Sequence, residues 1–309
     1  MSYTNQRNAY GNTLVELGAE NKKIVVLEAD LGKSTMSNMF QQAYPDRYFE
    51  MGIAEQNMAS VAAGLSQTGK IPFINSFAVF VSGRAFDQIR QTICIGKLNV
   101  KIIGSSSGLS DFGDGATHQD IEDLAIMRAI PNMTVICPAD ANEMAAATRA
   151  IVEYHGPCYM RSNRNSYDNV TPEDKPFGIG QPTVLREGSD IAVFACGYMV
   201  GLALKAAEYL KEKISLKVIN VSTIKPLDET LIRDLSADCT GIITAEEHST
   251  IGGLGSAIAQ AMASCPKPME FIGINDRFGC SAHSYKELLD YYRLTDQHII
   301  NAAEKLYNK

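Results

Sequence analysis

The sequence predicts an α/β protein with two domains and mainly parallel sheets. The chain has 309 residues, about twice the length of a common domain. Short runs of aliphatic and β-branched residues alternate with helix-like stretches from end to end, a pattern typical of strand–helix–strand units. Residues 166–188 interrupt the alternation with proline, glycine and polar residues, which predicts a linker. The first domain would then span 1–165 and the second 189–309.

The expected elements of the first domain follow from apolar spacing. "IVVLEAD" (24–30) is a continuous apolar run that ends in acids, as a buried parallel strand does. "EQNMASVAAGLSQ" (55–67) has apolar residues at helical spacing and predicts a helix. Further strands are expected at "IPFINSF", "VKIIGSS", "MTVICPAD" and "PCYMRS", and further helices at "GRAFDQIRQTICIG", "DIEDLAIMRAI" and "ANEMAAATRAIVEY".

The second domain repeats the pattern after the linker. Its expected strands are "IAVFACG", "LKVINVS", "GIITAEE" and "MEFIGIN", with helices between them. Because strands and helices alternate in both halves, each half predicts its own mainly parallel sheet.

Composition excludes several classes of protein. The net charge of −7, without a basic cluster, argues against a nucleic-acid partner. No apolar run reaches the length of a membrane span, and the polar N-terminus lacks a signal-peptide core. The seven cysteines include no C-x-x-C pair, which argues against zinc sites and a disulfide framework. A protein of the cytoplasm, with no membrane partner, is therefore expected.

The stretch "DFGDGATHQD" contains Gly113-Asp114-Gly115, which resembles the opening of a metal–diphosphate motif. Such a motif requires a strand before it and an asparagine pair downstream. A polar loop precedes the triplet, and the stretch downstream where the pair would be expected contains only the single asparagines Asn132 and Asn142. We therefore expect no metal site in this chain.

Four motifs in order point to a family. "GIAEQ", "SFAVFVSGRAFDQIR", "GDGATHQDIEDLA" and "EEHSTIGGLGSAIAQ" together resemble the C-terminal half of the transketolase family, over nearly the whole chain. The resemblance implies a pyrimidine-binding domain of a thiamine diphosphate enzyme, followed by the transketolase C-terminal domain. The expected activity is transfer of a two-carbon ketol unit from a ketose to an aldose acceptor.

The resemblance implies a cofactor-binding group. Glu55 matches the catalytic glutamate that shares a proton with the aminopyrimidine ring, although an acid at a helix start is also favoured by the helix dipole. Phe77 and Phe80 match aromatic residues that pack on this ring, and Ile74 stands where some members have another aromatic. Asp30 matches an acid near the positively charged thiazolium.

The resemblance also implies contacts with the sugar. Asp114 matches an aspartate that hydrogen-bonds a substrate hydroxyl, and His118 a catalytic histidine that moves protons there, as an imidazole can near neutral pH. The positions expected to bind a terminal phosphate are Arg7, Ser34 and Arg161.

Ser106 departs from the family pattern. It stands where many members have a phosphate-contacting histidine, and "SDF" (110–112) replaces the usual Val-Gly-Glu run. The donor could therefore be an ordinary sugar phosphate or a modified anionic ketose, sulfonated or branched, and the sequence does not choose between them. Arg84 and Asp87 are expected at an interface or in support of the residues that contact the ligand, with no stronger role.

The missing metal motif implies a partner. Some transketolases are split into two chains, and this chain resembles the second of them. A larger subunit would then hold the diphosphate and Mg²⁺ or Ca²⁺, in an α₂β₂ heterotetramer. Three alternatives stay open: a 1-deoxyxylulose-5-phosphate synthase-like enzyme, a 2-oxoacid dehydrogenase β-like subunit, and a catalytically silent scaffold or regulatory subunit.

Overall fold

A computed structural model describes residues 4–308 and contains two α/β domains, so the predicted fold class is confirmed. The strands of the first half are β1 (Ile24–Glu28), β2 (Tyr48–Glu50), β3 (Ile71–Phe77), β4 (Lys101–Ser105), β5 (Thr134–Ile136) and β6 (Cys158–Ser162). Those of the second half are β7 (Thr183–Arg186), β8 (Ile191–Ala195), β9 (Leu216–Asn220), β10 (Thr223–Lys225), β11 (Gly241–Ser249) and β12 (Met269–Ile274).

Helices cover both sheets. They are α1 (Gln6–Glu20), α2 (Gly32–Thr35), α3 (Asn38–Ala43), α4 (Glu55–Gln67), α5 (Phe86–Gln88), α6 (Asp123–Ala129), α7 (Ala141–Glu153), α8 (Met199–Leu210), α9 (Glu229–Leu235), α10 (Leu254–Ala261), α11 (Tyr285–Tyr291) and α12 (Asp296–Tyr307). Within residues 4–308, no helix combines the length and the apolar character needed to cross a bilayer.

The strands form one sheet per domain. The first sheet has the order β10-β5-β6-β4-β3-β1-β2, and all its pairs are parallel except β10 with β5. The second has the order β12-β11-β8-β9-β7, with only β7 antiparallel. Because β10 comes from the second half of the chain, the second domain extends the first domain's sheet.

The linker is shorter than the sequence predicts. Residues 183–186 lie inside the expected linker 166–188, but they form β7 and pair with β9 of the second sheet. Because glycine and proline residues surround β7, the sequence there is typical of a loop, although it contains a four-residue strand at the edge of the sheet.

The helix expected at 83–96 is irregular. It contains two π-helical segments, Phe80–Arg84 and Ile89–Cys94, on either side of the short α5. A π turn accommodates an extra residue in a helix and often occurs at functional sites. The first π segment begins three residues earlier than predicted and carries Phe80 and Arg84 on one turn.

Arg161 joins the two domains. It lies on β6 and is only 4% exposed. Its Nε donates to Asp123 at 2.8 Å, and its two terminal nitrogens donate to the backbone oxygens of Glu247 and Asp120, each at 3.0 Å. Glu247 belongs to β11 of the second domain, and its carboxylate accepts from the backbone N–H of Leu109 at 2.7 Å. A single guanidinium therefore binds both domains.

This placement argues against the predicted role of Arg161 in binding a substrate anion. All three guanidinium nitrogens donate within the protein, and the side chain is buried. The sequence showed an arginine at a strand end but could not show which partners the second domain supplies.

We predict that Arg161→Met lowers the free energy of unfolding by about 3–5 kcal/mol, because it leaves the carboxylate of Asp123 buried without its cation. Urea denaturation followed by circular dichroism measures the change. Arg149→Met is the matched control, since Arg149 and its partner Glu16 are both exposed, and it should have a much smaller effect. Unchanged stability combined with weaker binding of an anionic sugar would instead support the sequence-based role.

Candidate active site

Glu55 is a buried acid at the start of α4. The helix packs its alanine- and methionine-rich face on the first sheet, and its N-terminal dipole favours a carboxylate at this position. The side chain is 3% exposed, and Oε1 accepts from Nη1 of Arg84 at 3.0 Å. Among the described residues, no other donor is hydrogen-bonded to this carboxylate. Oε2 therefore has capacity to bind a ligand.

An aromatic group lies beside the acid. Phe77 ends β3, and its ring stacks on Phe80 with centroids 5.8 Å apart and an interplanar angle of 17°. His118 meets both rings edge-on, at 6.1 Å from Phe77 and 5.2 Å from Phe80. The guanidinium of Arg84 lies 4.1 Å from the Phe80 ring centroid. The fold thus brings together Glu55, Phe77, Phe80 and His118 from distant motifs.

Ile74 is buried in the core, whereas Asp30 is exposed in the loop after β1. Ile74 is fully buried within β3 and packs in the hydrophobic core, so its predicted contact with the cofactor stays a prediction. Asp30 follows β1 with φ of 61°, a left-handed conformation uncommon outside glycine. Its N–H donates to Oε1 of Glu50 at 2.8 Å, and Gly52 N–H donates to the same oxygen at 3.1 Å. Glu50, which the motifs did not indicate, therefore joins the loop of Asp30 to the loop leading to Glu55.

The loop carrying Asp114 and His118 is held by internal bonds. Asp114 precedes a short 3₁₀ turn, Gly115–Thr117, and the His118 N–H donates to Gly115 O at 2.9 Å. The Thr117 hydroxyl lies 2.9 Å from Nδ1 of His118. Within residues 4–308, no partner is bonded to Nε2, so this nitrogen can meet a ligand.

Asp120 connects this loop to the π-helical segment. Its Oδ2 accepts from the Ser82 hydroxyl at 2.6 Å, and its backbone oxygen accepts from Gly108 N–H at 2.8 Å. Burial, together with the nearby charge of Asp123, raises the pKa of Asp120 to about 8. A buried acid that sequence analysis missed thus sets the distance between the His118 loop and the turn with Phe80.

Two arginines form a cationic pair at the edge of the site. Nη1 of Arg7 donates to Ser34 O at 2.6 Å, and Nη2 donates to Arg164 O at 3.1 Å. Burial, and then the charge of Arg164, lowers the pKa of Arg7 to about 10. Arg164 also forms an ion pair with Asp111. The carboxylate of Asp111 balances one of the two charges, so the group keeps a net positive charge that favours an anionic ligand.

Arg164, which the motifs did not indicate, is the arginine of this segment that lies next to Arg7. Arg161 and Arg164 both belong to "RSNR", and their spacing of three residues places them on different sides of the strand end. Arg161 points into the domain contact, whereas Arg164 lies beside Arg7. A second arginine so close in the sequence was the signal that could have indicated it.

Ser106 is a buried hydroxyl at the end of β4. It has φ of 54° and is 0% exposed, and within the described residues its Oγ has no hydrogen-bond partner. A strained backbone and an unsatisfied polar atom are both typical of functional positions. Phe77 ends β3, and Asp30 and Ser106 come just after β1 and β4 of the same parallel sheet, so all three lie at its carboxyl edge, where α/β folds bind ligands. In the part of the chain described, no three His, Cys, Asp or Glu side chains cluster as metal ligands.

Comparisons with known proteins agree with the motifs. The family "Transketolase, pyrimidine binding domain" matches residues 3–169, and "Transketolase, C-terminal domain" matches residues 180–299. A protein of Methanocaldococcus jannaschii, provisionally named as a transketolase C-terminal section, is 46% identical over 96% of this chain and 94% of its own length. The 6-deoxy-6-sulfo-D-fructose transketolase subunit SqwH of a Clostridium species is 39% identical, over 97% of this chain and 94% of its own length.

A solved structure is similar over the whole chain. It is described as a split gene transketolase, inactive beta4 tetramer, and is 45% identical with a TM-score of 0.90, covering 99% of both chains. The resemblance inferred from the motifs is thereby confirmed.

We predict a pH dependence of stability that arises at Asp120. Because its pKa is higher in the folded chain than its ordinary value of 3.8, its contribution to stability is complete below that value and is lost as pH rises toward about 8. Asp120→Asn should therefore flatten the decline in unfolding free energy between about pH 5 and pH 8. Urea denaturation at several pH values measures this slope.

The matched control is Asp174→Asn, at an exposed position of the linker, which should leave the slope unchanged. Glu28 and Glu247, whose pKa values burial raises to about 7, should contribute a residual slope of the same sign. Equal slopes for wild type and Asp120→Asn would contradict the assignment.

Proposed function

This chain belongs to the transketolase family, and we propose that it is one subunit of a split, thiamine diphosphate-dependent transketolase that transfers a two-carbon ketol unit from an anionic ketose to an aldose. The observation that carries the proposal is the buried carboxylate of Glu55, joined through Arg84 to the stacked rings of Phe77 and Phe80, with His118 edge-on to both. This arrangement joins an acid, an aromatic platform and an imidazole at one edge of a parallel sheet.

The residues fit the aminopyrimidine half of the cofactor. Glu55 offers one carboxylate oxygen with no described partner, in surroundings that exclude water, and can hydrogen-bond a ring nitrogen. Phe77 and Phe80 present the aromatic faces on which such a ring packs. Thiamine diphosphate, when bound, supplies a carbon nucleophile for the ketose carbonyl. The diphosphate and a Mg²⁺ or Ca²⁺ ion belong, in this proposal, to the partner subunit.

The sugar lies, in this proposal, between His118 and the arginine pair. Nε2 of His118 can accept or donate a proton at a substrate hydroxyl, and Asp114 can accept a hydrogen bond from another hydroxyl. Arg164 would then bind a terminal anion, and Nε of Arg7, which has no partner among the described residues, can supply a second donor. Phosphate and sulfonate both present a tetrahedral group to these cations, so the arginines alone do not separate them.

The names of related proteins support a modified sugar and a partner. One relative is named as a subunit of a transketolase that acts on 6-deoxy-6-sulfo-D-fructose. The similar solved structure is named as an inactive tetramer of β chains. We therefore infer that this chain needs a larger subunit for activity, in an α₂β₂ assembly. Its seven free cysteines suit a reducing compartment, which supports a cytoplasmic location.

We predict that Glu55→Gln lowers ketol transfer by at least about 100-fold, because the amide cannot hold or release the proton that a carboxyl group can. The assay uses this chain reconstituted with a larger transketolase subunit that carries the diphosphate-binding domain, thiamine diphosphate and Mg²⁺. Glu122→Gln, at another acid of the same domain, is the control and should stay within about threefold of wild type. Undiminished transfer by Glu55→Gln would favour the silent-subunit alternative, and full transfer by this chain alone would exclude the need for a partner.

We predict that replacing Arg164 or Ser106 changes the preference of the enzyme among sugar donors. Arg164→Ala should reduce kcat/KM for anionic ketoses by about 10- to 100-fold relative to neutral ones, since one charge-assisted bond contributes about 1.5–3 kcal/mol. Ser106→His should raise the preference for phosphorylated over sulfonated donors by restoring an imidazole. Matched phosphate, sulfonate and neutral ketoses provide the comparison. Equal losses for all three donors would show that Arg164 supports the fold and does not bind the anion.

A further inference from the structure

Arg84 lies between the acid and the aromatic platform. Its Nη1 is 3.0 Å from Oε1 of Glu55, and its guanidinium lies 4.1 Å from the Phe80 ring centroid. The two partners belong to different elements, the start of α4 and the first π-helical segment. Arg84 therefore connects the carboxylate to the ring that stacks on Phe77.

The position of Arg84 is itself restrained. The π-helical segment places Phe80 and Arg84 four residues apart, on the same side of the turn. Ser82, between them, donates to the buried carboxylate of Asp120 at 2.6 Å, which fastens the segment to the loop of His118. The side chain of Arg84 is 51% exposed, whereas that of Glu55 is 3% exposed. The guanidinium therefore approaches the buried carboxylate from the solvent side.

We propose that Arg84 is a positioning residue that orients Glu55, by holding Oε1 so that Oε2 faces the aminopyrimidine site. This inference rests on the proposed function. A carboxylate with one donor per oxygen has a defined rotamer, while a buried carboxylate without a partner rotates to seek one. Because the guanidinium also lies over Phe80, a displacement of Arg84 moves the acid relative to the platform. Misplacement of a reacting group by about 1 Å can cost about 100-fold in rate.

The experiment measures activation of the cofactor without any sugar. The wild-type chain and its variants are each reconstituted with the larger subunit and saturated with thiamine diphosphate and Mg²⁺. The exchange of the thiazolium proton for deuterium is then followed by quenched proton NMR. We expect Arg84→Met, which retains an apolar stem over Phe80, to slow the exchange by about tenfold or more, and Arg84→Lys to recover part of the rate.

Two further readouts separate orientation from loss of structure. The affinity for thiamine diphosphate, from calorimetry, should change by less than about threefold, and kcat should fall without a matching rise in the KM of the sugar donor. Arg90→Met is the matched control, since Arg90 is an exposed arginine on the second π-helical segment, and it should exchange at the wild-type rate. If Arg84→Met does not assemble, Arg84→Gln is used, with the same expected slowing.

The outcomes distinguish this inference from the function on which it rests. Wild-type exchange in the Arg84 variants, beside an active wild-type complex, overturns the positioning role alone. An equal loss in Arg90→Met also overturns it, because the effect would then be one of general charge or stability. A wild-type complex that exchanges no faster than free cofactor overturns the proposed function and this inference together.

Discussion

The guanidinium of Arg161 is the interaction on which the geometry of the whole chain depends. It binds a carboxylate of the first domain and a backbone oxygen of the second, both out of contact with water. A buried cation of this kind is costly unless every donor is satisfied, and here all of its nitrogens have acceptors. Its third acceptor, Asp120 O, belongs to the segment that carries His118. The domain contact and the shape of the candidate site are therefore set by the same side chain.

Hydrogen bonds between distant segments hold the candidate site together, and few of its polar groups are left without a partner among the described residues. Asp120 holds the π-helical turn with Phe80, and Glu50 holds the loops of Asp30 and Glu55. These acids bond to backbone or hydroxyl donors and leave the groups that face a ligand available. Left-handed residues at the ends of β1 and β4 show where the chain is held in strained conformations for this purpose.

Arg84 makes two contacts at once, a cation–π contact with Phe80 and an ion pair with Glu55. A guanidinium over an aromatic face gains from the ring quadrupole, and it gains more when the same cation also has a carboxylate partner. Glu55, Arg84 and the stacked rings of Phe77 and Phe80 are therefore held in one connected group. The second domain contacts the loops around these residues: Glu247 accepts from the N–H of Leu109, and the backbone oxygen of Cys280 accepts from the side chain of Gln119, next to His118.

The sequence by itself determined the α/β class, the two domains and the family, because strand and helix periodicities and ordered motifs are local properties of the chain. It also indicated Glu55, Phe77, Phe80 and His118, which the fold then brought together. The tertiary structure alone decided that β7 shortens the linker, that Arg161 serves the domain contact while Arg164 lies beside Arg7, and that Arg84 pairs with Glu55. The physical reason is that the partners of a long, charged side chain come from segments far away in the sequence. Only packing decides which of these segments reaches it.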